Sequence, residues 1–100
     1  MIHSISGYTV PVKGIKSYEY ANYFTKRASS WGWATWKNRW DTVDWDVLDY
    51  ETFKNDKKKQ RLFNAMGSDM SSMLADQMNG KISSWAIRWC FDQFKNNKYT

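Results

Sequence analysis

Residues 28–40 read ASSWGWATWKNRW and hold four of the seven tryptophans in the chain. Side chains this large are concentrated either to build a hydrophobic core or to form a stacking surface, so both interpretations place this stretch at the centre of the fold. Trp33, Trp36 and Trp40 fall at positions i, i+3 and i+7, which predicts one face of a helix that begins at Thr35. Helically spaced aromatic residues usually face the core.

The segment that enters this helix is predicted to be extended. Ala28 to Trp31 reads as a short strand or an extended stretch, and Gly32 would let another backbone or a ligand approach closely because it has no side chain. Upstream, residues 2–10 are rich in β-branched and aromatic residues and predict a strand that Gly7 bends. Residues 11–17 then predict a loop.

Residues 18–24 predict either a short helix or an aromatic edge segment. Residues 47–55 predict a short amphipathic helix, and a second helix behind the lysine run 57–59 is ended by Gly67. Ser68 is the predicted N-cap of the next helix, which Gly80 stops, because serine hydroxyls accept hydrogen bonds from free first-turn amides. Apolar residues repeat along it with helical spacing at Met70, Met73, Leu74 and Met78.

The last helix is predicted to start near Ser83 or Ser84 and to end near Lys95. Its polar stripe is narrow and contains Arg88 and Asp92, which are four residues apart and could pair weakly. The helix is therefore expected to be largely buried, with Trp85 and Trp89 in the core. Taken together, the pattern predicts a single α+β domain over residues 1–100, mostly helical, with one or two short N-terminal strands.

Composition and charge narrow the setting of the protein. No apolar run is long enough to cross a membrane, residues 1–4 lack signal-peptide features, and Cys90 is the only cysteine, which together predict a cytoplasmic protein. The net charge is +3 over residues 1–27, −3 over residues 28–56 and +5 over residues 57–100. The two basic segments could bind phosphate-rich partners such as nucleic acid, anionic lipid or nucleotide-sugar diphosphates. Alternatively, they only keep an aromatic-rich domain soluble.

Three separated motifs resemble bacterial sugar transferases of the GT-A glycosyltransferase type. They are ISGY at residues 5–8, RASSWGWATW at residues 27–36 and SWAIRW at residues 84–89, and they occur in the order found in that family. The resemblance covers nearly the whole chain. It implies the C-terminal, acceptor-side part of a GT-A-like α/β fold, in which the nucleotide-binding half with its acidic metal motif would precede these residues.

The resemblance also implies a reaction and its partners. Such an enzyme moves a sugar from a nucleotide-sugar donor to a saccharide acceptor, here in cell-surface polysaccharide synthesis, and peripheral contact with a membrane would fit that role. No cofactor or metal site is expected in this chain, while a complete enzyme could use Mn or Mg. Nucleic acid is the less expected partner, and as a fragment of such an enzyme the chain is expected to be inactive by itself.

Asp69 is the candidate general base. A short acidic side chain behind Gly67, in the first turn of a helix, is held by backbone and can point into a cleft, and the family carries its base in a comparable acidic segment. The alternative is that Asp69 only complements the helix dipole. Aromatic faces stack on the C–H faces of sugars, and guanidinium groups face diphosphates or carboxylates or form structural ion pairs. The candidate substrate-binding residues are therefore Trp31, Gly32, Trp33, Arg27 and Arg88.

Neither the Asp44 and Asp46 pair nor His3 is predicted to form a metal or catalytic site. Asp44 and Asp46 have the letters of an acidic metal motif but follow a helix, and hard cations need more converging oxygens than these two supply. His3 is the only histidine and is predicted to be an ordinary strand residue. Two other functions stay open. One is a binding module for carbohydrate or single-stranded nucleic acid, and the other is a small structural protein whose aromatic residues are all core.

Overall fold

The computed structural model describes residues 1–8 and 13–100, and within them the chain forms a small α+β domain. Two strands pair in an antiparallel sheet, and five α-helices come after the second strand along the chain. The strands are β1 (Ser4–Ser6) and β2 (Trp33–Thr35), and the helices are α1 (Lys37–Trp40), α2 (Tyr50–Lys54), α3 (Lys57–Phe63), α4 (Met70–Met78) and α5 (Trp85–Lys95). Among the described residues, no helix is long and apolar enough to cross a membrane.

The predicted mostly helical α+β class is confirmed, with shorter strands than expected. The strand predicted for residues 2–10 spans only Ser4–Ser6, and residues 9 and 10 lie outside the described part of the chain, as do residues 11 and 12 of the predicted loop. The rest of that loop contains a single 3₁₀ turn, Ile15–Ser17. The segment 18–24 is neither helix nor strand.

The predicted tryptophan helix is wrong in its first half. Trp33 lies in β2 opposite Ser6, and Trp36 is extended, with φ −105° and ψ 146°, so only the four residues of α1 are helical. Pairing with β1 overrides the helical spacing, because the chain there satisfies its backbone groups across the sheet. The Thr35 hydroxyl adds to this by donating to the carbonyl of His3 at 2.6 Å.

Two glycines shape the entry to β2 in a way that differs from the prediction. Gly32 has φ +62°, which glycine adopts at little cost, but a Cβ there would meet nothing within 4 Å. The close approach occurs at Gly7, whose N–H donates to the Gly32 carbonyl at 2.6 Å. A Cβ on Gly7 would lie 2.7 Å from that carbonyl oxygen. Gly7 therefore permits the contact, and Gly32 permits the turn.

The middle helices are predicted with small errors at their ends. The helix expected over residues 47–55 is α2, five residues long, because Val47 has φ +50° and cannot start it. The predicted N-cap of α4 is wrong, since Asp69 and not Ser68 occupies that position. The carboxylate of Asp69 makes no capping hydrogen bond. The helix ends at Met78, just before Gly80, as expected.

Helix α5 is the predicted core element. The Ser84 hydroxyl caps it by accepting from the N–H of Ile87 at 3.3 Å. Trp89 is 1% exposed, whereas Trp85, also predicted to be core, lies at the surface with one-third of its area open. The apolar core lies between α5 and helices α2 to α4, and its buried members are Val47, Phe53, Phe63, Met70, Leu74, Ile87, Cys90 and Phe91.

Asp92 does not pair with Arg88. It is buried, and its Oδ2 accepts from the Lys98 ammonium at 3.0 Å, because a buried carboxylate needs a charged partner. The Arg88 guanidinium donates instead to the carbonyls of Ser84 and Trp45. His3 lies beside this pair, fully buried, with its ring stacked on Trp89 at 4.0 Å. His3 is thus part of the core rather than an ordinary strand residue.

Candidate functional site

An open groove of about 1210 Å³ runs beside the sheet. Its floor includes Met70 of α4 and Ile87 and Cys90 of α5, all buried core residues. Its walls are the residues of and after β1 and the segment 18–31, which together place aromatic rings and serine hydroxyls around the opening. The groove is therefore floored by the packed core of the helices and is polar and aromatic along its sides.

Trp31 is the most exposed tryptophan of this wall. The indole is 70% exposed, and its ring lies 5.2 Å from that of Tyr8 at an interplanar angle of 50°. Ser6 holds the base of this pair in place, since its hydroxyl donates to the Ser29 carbonyl and accepts from the Ser29 N–H, both at 3.2 Å. The two rings form an open aromatic surface fixed to the end of β1.

Arg27 and Asp69 form an ion pair at the groove. Nη1 of Arg27 lies 3.2 Å from Oδ1 of Asp69, and Nη2 lies 3.5 Å from Oδ2, so the guanidinium faces both carboxylate oxygens. Nη1 also donates to the Met66 carbonyl at 3.3 Å. About half of each side chain is open to solvent, with 41% of Arg27 and 50% of Asp69 exposed. A carboxylate oxygen has two lone pairs, so Asp69 can still accept from a ligand hydroxyl.

Gly67 makes room for this ion pair. Its φ is +155°, and a Cβ on it would lie 2.2 Å from Nη1 of Arg27 and 2.7 Å from Oδ1 of Asp69. The first turn of α4 does without the Asp69 carboxylate, because the N–H of Ser71 donates to the Asn64 side chain at 2.8 Å. The carboxylate is thus released from capping and held by Arg27 instead.

Trp33 and Arg88 lie away from the groove. Trp33 belongs to a group of five rings that we call the tryptophan cluster, in which it stacks on Trp85 at 5.0 Å. The guanidinium of Arg88 donates to the carbonyls of Ser84 and Trp45, each at 3.1 Å. The cluster consists of Trp33, Trp40, Trp45, Trp85 and Trp89. Of the predicted site residues, Arg27 and Trp31 line the groove, Asp69 is linked to it through the ion pair with Arg27, and Gly32 follows Trp31 in the chain.

The acidic segment after α1 is tied into local contacts. Asp44 accepts from the N–H of Leu48 at 2.8 Å and from Lys95 at 3.4 Å. Burial raises the pKa of Asp44, but these hydrogen bonds and the charge of Lys95 outweigh it and leave the pKa below its ordinary value. Within residues 1–8 and 13–100, no three His, Cys, Asp or Glu side chains converge as a metal site would require.

Sequence patterns missed the hydroxyl wall and the role of Tyr8. Ser4, Ser6, Ser29 and Thr100 meet across the groove only in the fold, through bonds such as the one that joins the Ser4 and Thr100 hydroxyls at 2.6 Å. Cys90 also faces this region, but burial raises the pKa of its thiol, so it is a poor nucleophile. Single serines carry no spacing signal that could have revealed the wall.

In comparisons with known proteins, no family model, curated protein or solved structure matches the chain.

Proposed function

We propose that this chain is the acceptor-side part of a GT-A type sugar transferase and that its groove holds the saccharide acceptor. The observation that carries the proposal is that an exposed indole, Trp31, lines the same groove as Arg27, and that Arg27 pairs with a half-exposed carboxylate, Asp69. Aromatic faces bind the C–H faces of pyranoses, and a nearby carboxylate can take a proton from a sugar hydroxyl. The resemblance of three sequence motifs to that family is the other support for the proposal.

The reaction assigns one step to this chain. Asp69 takes the proton of an acceptor hydroxyl as the oxygen forms a bond to the anomeric carbon of the donor sugar. The bond from that carbon to the nucleoside diphosphate oxygen breaks, and its electron pair leaves with the diphosphate. Arg27 orients the carboxylate through its two-pronged contact. Trp31 stacks on the acceptor ring and sets the direction of its hydroxyl.

The donor is held elsewhere in this proposal. The described residues offer no converging acidic set for a Mn or Mg ion, so no step of the mechanism in this chain uses one. We expect the chain alone to bind nucleotide-sugars more weakly than a Kd of about 0.1 mM, roughly −5.5 kcal/mol, with or without these ions. Tighter binding in a calorimetric titration would contradict the proposal that a separate half of the enzyme binds the donor.

The acceptor site is tested by following the seven indole N–H signals by NMR while neutral disaccharides are added. The signal of Trp31 is expected to shift, whereas that of Trp89 should stay fixed, because its N–H is buried and bonded to Gln93 at 2.9 Å. Trp31→Ala should abolish binding, and Leu48→Ala, an exposed apolar residue outside the groove, should not. If no disaccharide shifts Trp31, the acceptor role is wrong.

The base is tested in a transfer assay that supplies the donor-binding half. Asp69→Asn keeps the size of the side chain and should lower turnover by about 10²–10⁴-fold while the melting temperature changes little. Asp76→Asn, on the same helix but outside the ion pair, is the matched control. Equal small losses in both variants would show that Asp69 is only a helix-start residue.

A single-stranded nucleic acid module is the competing function, and the same titration separates it. An oligothymidylate that shifts Trp31 with an affinity that falls steeply with salt would favour that module over the transferase, because phosphate contacts release counterions.

A further inference from the structure

The groove contains a second aromatic surface that the acceptor site does not use. Tyr18 lies 5.5 Å from Tyr20 and 6.4 Å from Tyr23, in both cases edge to face, so the three rings support one another. Tyr20 is 65% exposed. Edge-to-face packing leaves part of each ring face open, which is the arrangement of a stacking surface rather than of a closed core.

The two aromatic surfaces are separate. Within the described residues, neither Tyr18 nor Tyr20 makes a ring contact with Tyr8 or Trp31, although all four line the same groove. The groove volume of about 1210 Å³ lies above the range of roughly 300–1,000 Å³ typical of sites for small ligands. One sugar unit on Trp31 would therefore leave much of the groove, including the tyrosines, without a ligand.

The charge of the groove indicates what chemical class of ligand fits. Arg27 is the only charged residue among the described residues that line it, and Asp69 balances that charge. Serine, threonine, asparagine and tyrosine side chains supply other polar groups, and they pair with hydroxyls as well as with any other neutral donor or acceptor. Among the described lining residues, an anionic polymer would find no free cation, whereas an uncharged polyhydroxyl chain finds aromatic faces and hydroxyl partners.

We propose that the groove takes an uncharged oligosaccharide across two aromatic subsites, with the reacting unit on Trp31 near Asp69 and the preceding units on Tyr18 and Tyr20. This inference rests on the proposed function and adds the length and charge of the acceptor to it. The tyrosine subsite sets specificity for chain length, because only ligands longer than the first subsite can reach it.

The test is a calorimetric titration of the whole chain with cello-, manno- and malto-oligosaccharides of two to six units. In the series that binds, affinity should rise with length beyond the disaccharide. Tyr20→Ala should remove that rise, a loss of about threefold to tenfold for the long ligands, and should leave the disaccharide unchanged. Tyr20→Phe should keep most of the rise, because the ring and not the hydroxyl does the stacking.

Two controls separate this inference from the proposed function. Trp31→Ala should weaken ligands of every length, and Leu48→Ala should weaken none. Disaccharides that bind as tightly as hexasaccharides, or Tyr20→Ala acting equally on all lengths, would overturn the second subsite and leave the acceptor site standing. Preference for a uronic-acid oligosaccharide over its neutral counterpart would overturn the charge assignment. Failure of every saccharide to bind would instead overturn the proposed function.

Discussion

Trp31 and Trp33 are separated by a single glycine, yet they belong to two regions with opposite construction. Trp31 faces the groove and is 70% exposed, whereas Trp33 is half-buried in the tryptophan cluster, between Trp85 and Trp89. Residues two apart in a strand share one face, but Gly32 has φ +62° and turns the chain between them. One residue type thus serves packing in one region and an open surface in the other, and the backbone at Gly32 makes the difference.

The two regions also differ in the solvent exposure of their polar groups. Next to the tryptophan cluster, His3, Asp92 and Lys98 form a buried group in which each side chain has a close polar neighbour. At the groove, the Arg27 and Asp69 pair is half-exposed to water. Removing a side chain from the first region leaves a cavity or an unpaired charge, whereas water replaces what is removed from the second. Substitutions should therefore affect stability in one region and binding in the other.

The largest expected effect is that of Trp89→Ala on stability. Trp89 is 1% exposed, stacks on His3 and donates to Gln93, so its removal should lower the free energy of unfolding by about 3–5 kcal/mol, close to the whole stability of a small domain. Trp31→Ala is the matched control and should change it by less than about 0.5 kcal/mol. Urea unfolding followed by circular dichroism measures both, and similar losses in the two variants would contradict the contrast between the regions.

The next effect concerns the junction between the regions. Gly7→Ala would place a methyl group 2.7 Å from the Gly32 carbonyl oxygen, which is backbone and cannot move aside cheaply, so we expect a loss of about 1–3 kcal/mol in the free energy of unfolding. Gly14→Ala is the control, because a Cβ there meets no atom within 4 Å and suffers only from its φ of +82°. A Gly7→Ala loss no larger than the control's would show that the strands can separate without cost.

The buried region should also respond to pH through His3. Burial lowers the pKa of His3 below 6.5, the charge of Lys98 lowers it further, and Asp92 and the backbone of Arg39 oppose part of the shift. The unfolded chain then binds a proton that the folded chain does not, so stability is full above about pH 6.5 and falls as the pH drops from there towards the lower folded pKa. Carboxylates titrate lower, near pH 4.

Melting temperatures measured between pH 7.5 and 5 check this dependence. His3→Phe keeps a ring that can stack on Trp89 but removes the titrating group, so its melting temperature should be nearly flat over that interval. The same slope in the variant as in the parent chain would mean that another group is responsible.

Much of the helical part of the fold could be predicted, because helix ends are set by residues close to them in the sequence. Ser84 caps α5, and Gly80 follows the end of α4, because capping and chain reversal depend on residues near each helix end. The error at Trp33 has a different origin. Its neighbours in sequence favour a helix, but pairing with Ser6, 27 positions away along the chain, decides the structure.

The candidate site could be predicted in part, for a similar reason. Arg27 and Trp31 were selected as candidates and both line the groove, whereas Asp69 is linked to it only through its ion pair with Arg27. Trp33 and Arg88 were selected in the same way but point into the tryptophan cluster, because the turn at Gly32 and the position of Arg88 on α5 are set by tertiary contacts. The tyrosine surface was missed, since residues 18–24 form no helix or strand whose period could reveal it.

The smallest expected effect is that of the Arg27 and Asp69 pair on stability, and it bears most directly on function. Both side chains are half-exposed, so solvent screens their attraction, and a double-mutant cycle of Arg27→Gln and Asp69→Asn should give a coupling of about 0.2–1 kcal/mol in urea unfolding. A coupling this weak would agree with the proposed role, in which the carboxylate stays available to a ligand hydroxyl rather than serving as a structural element. The pair of Lys98 with buried Asp92 provides the comparison, because breaking it by Lys98→Met leaves an uncompensated buried carboxylate and should cost about 3–5 kcal/mol. A coupling above about 2 kcal/mol between Arg27 and Asp69 would instead show that the pair is a structural element. The general base of the proposed reaction would then have to be sought first among Asp41, Asp44 and Asp46.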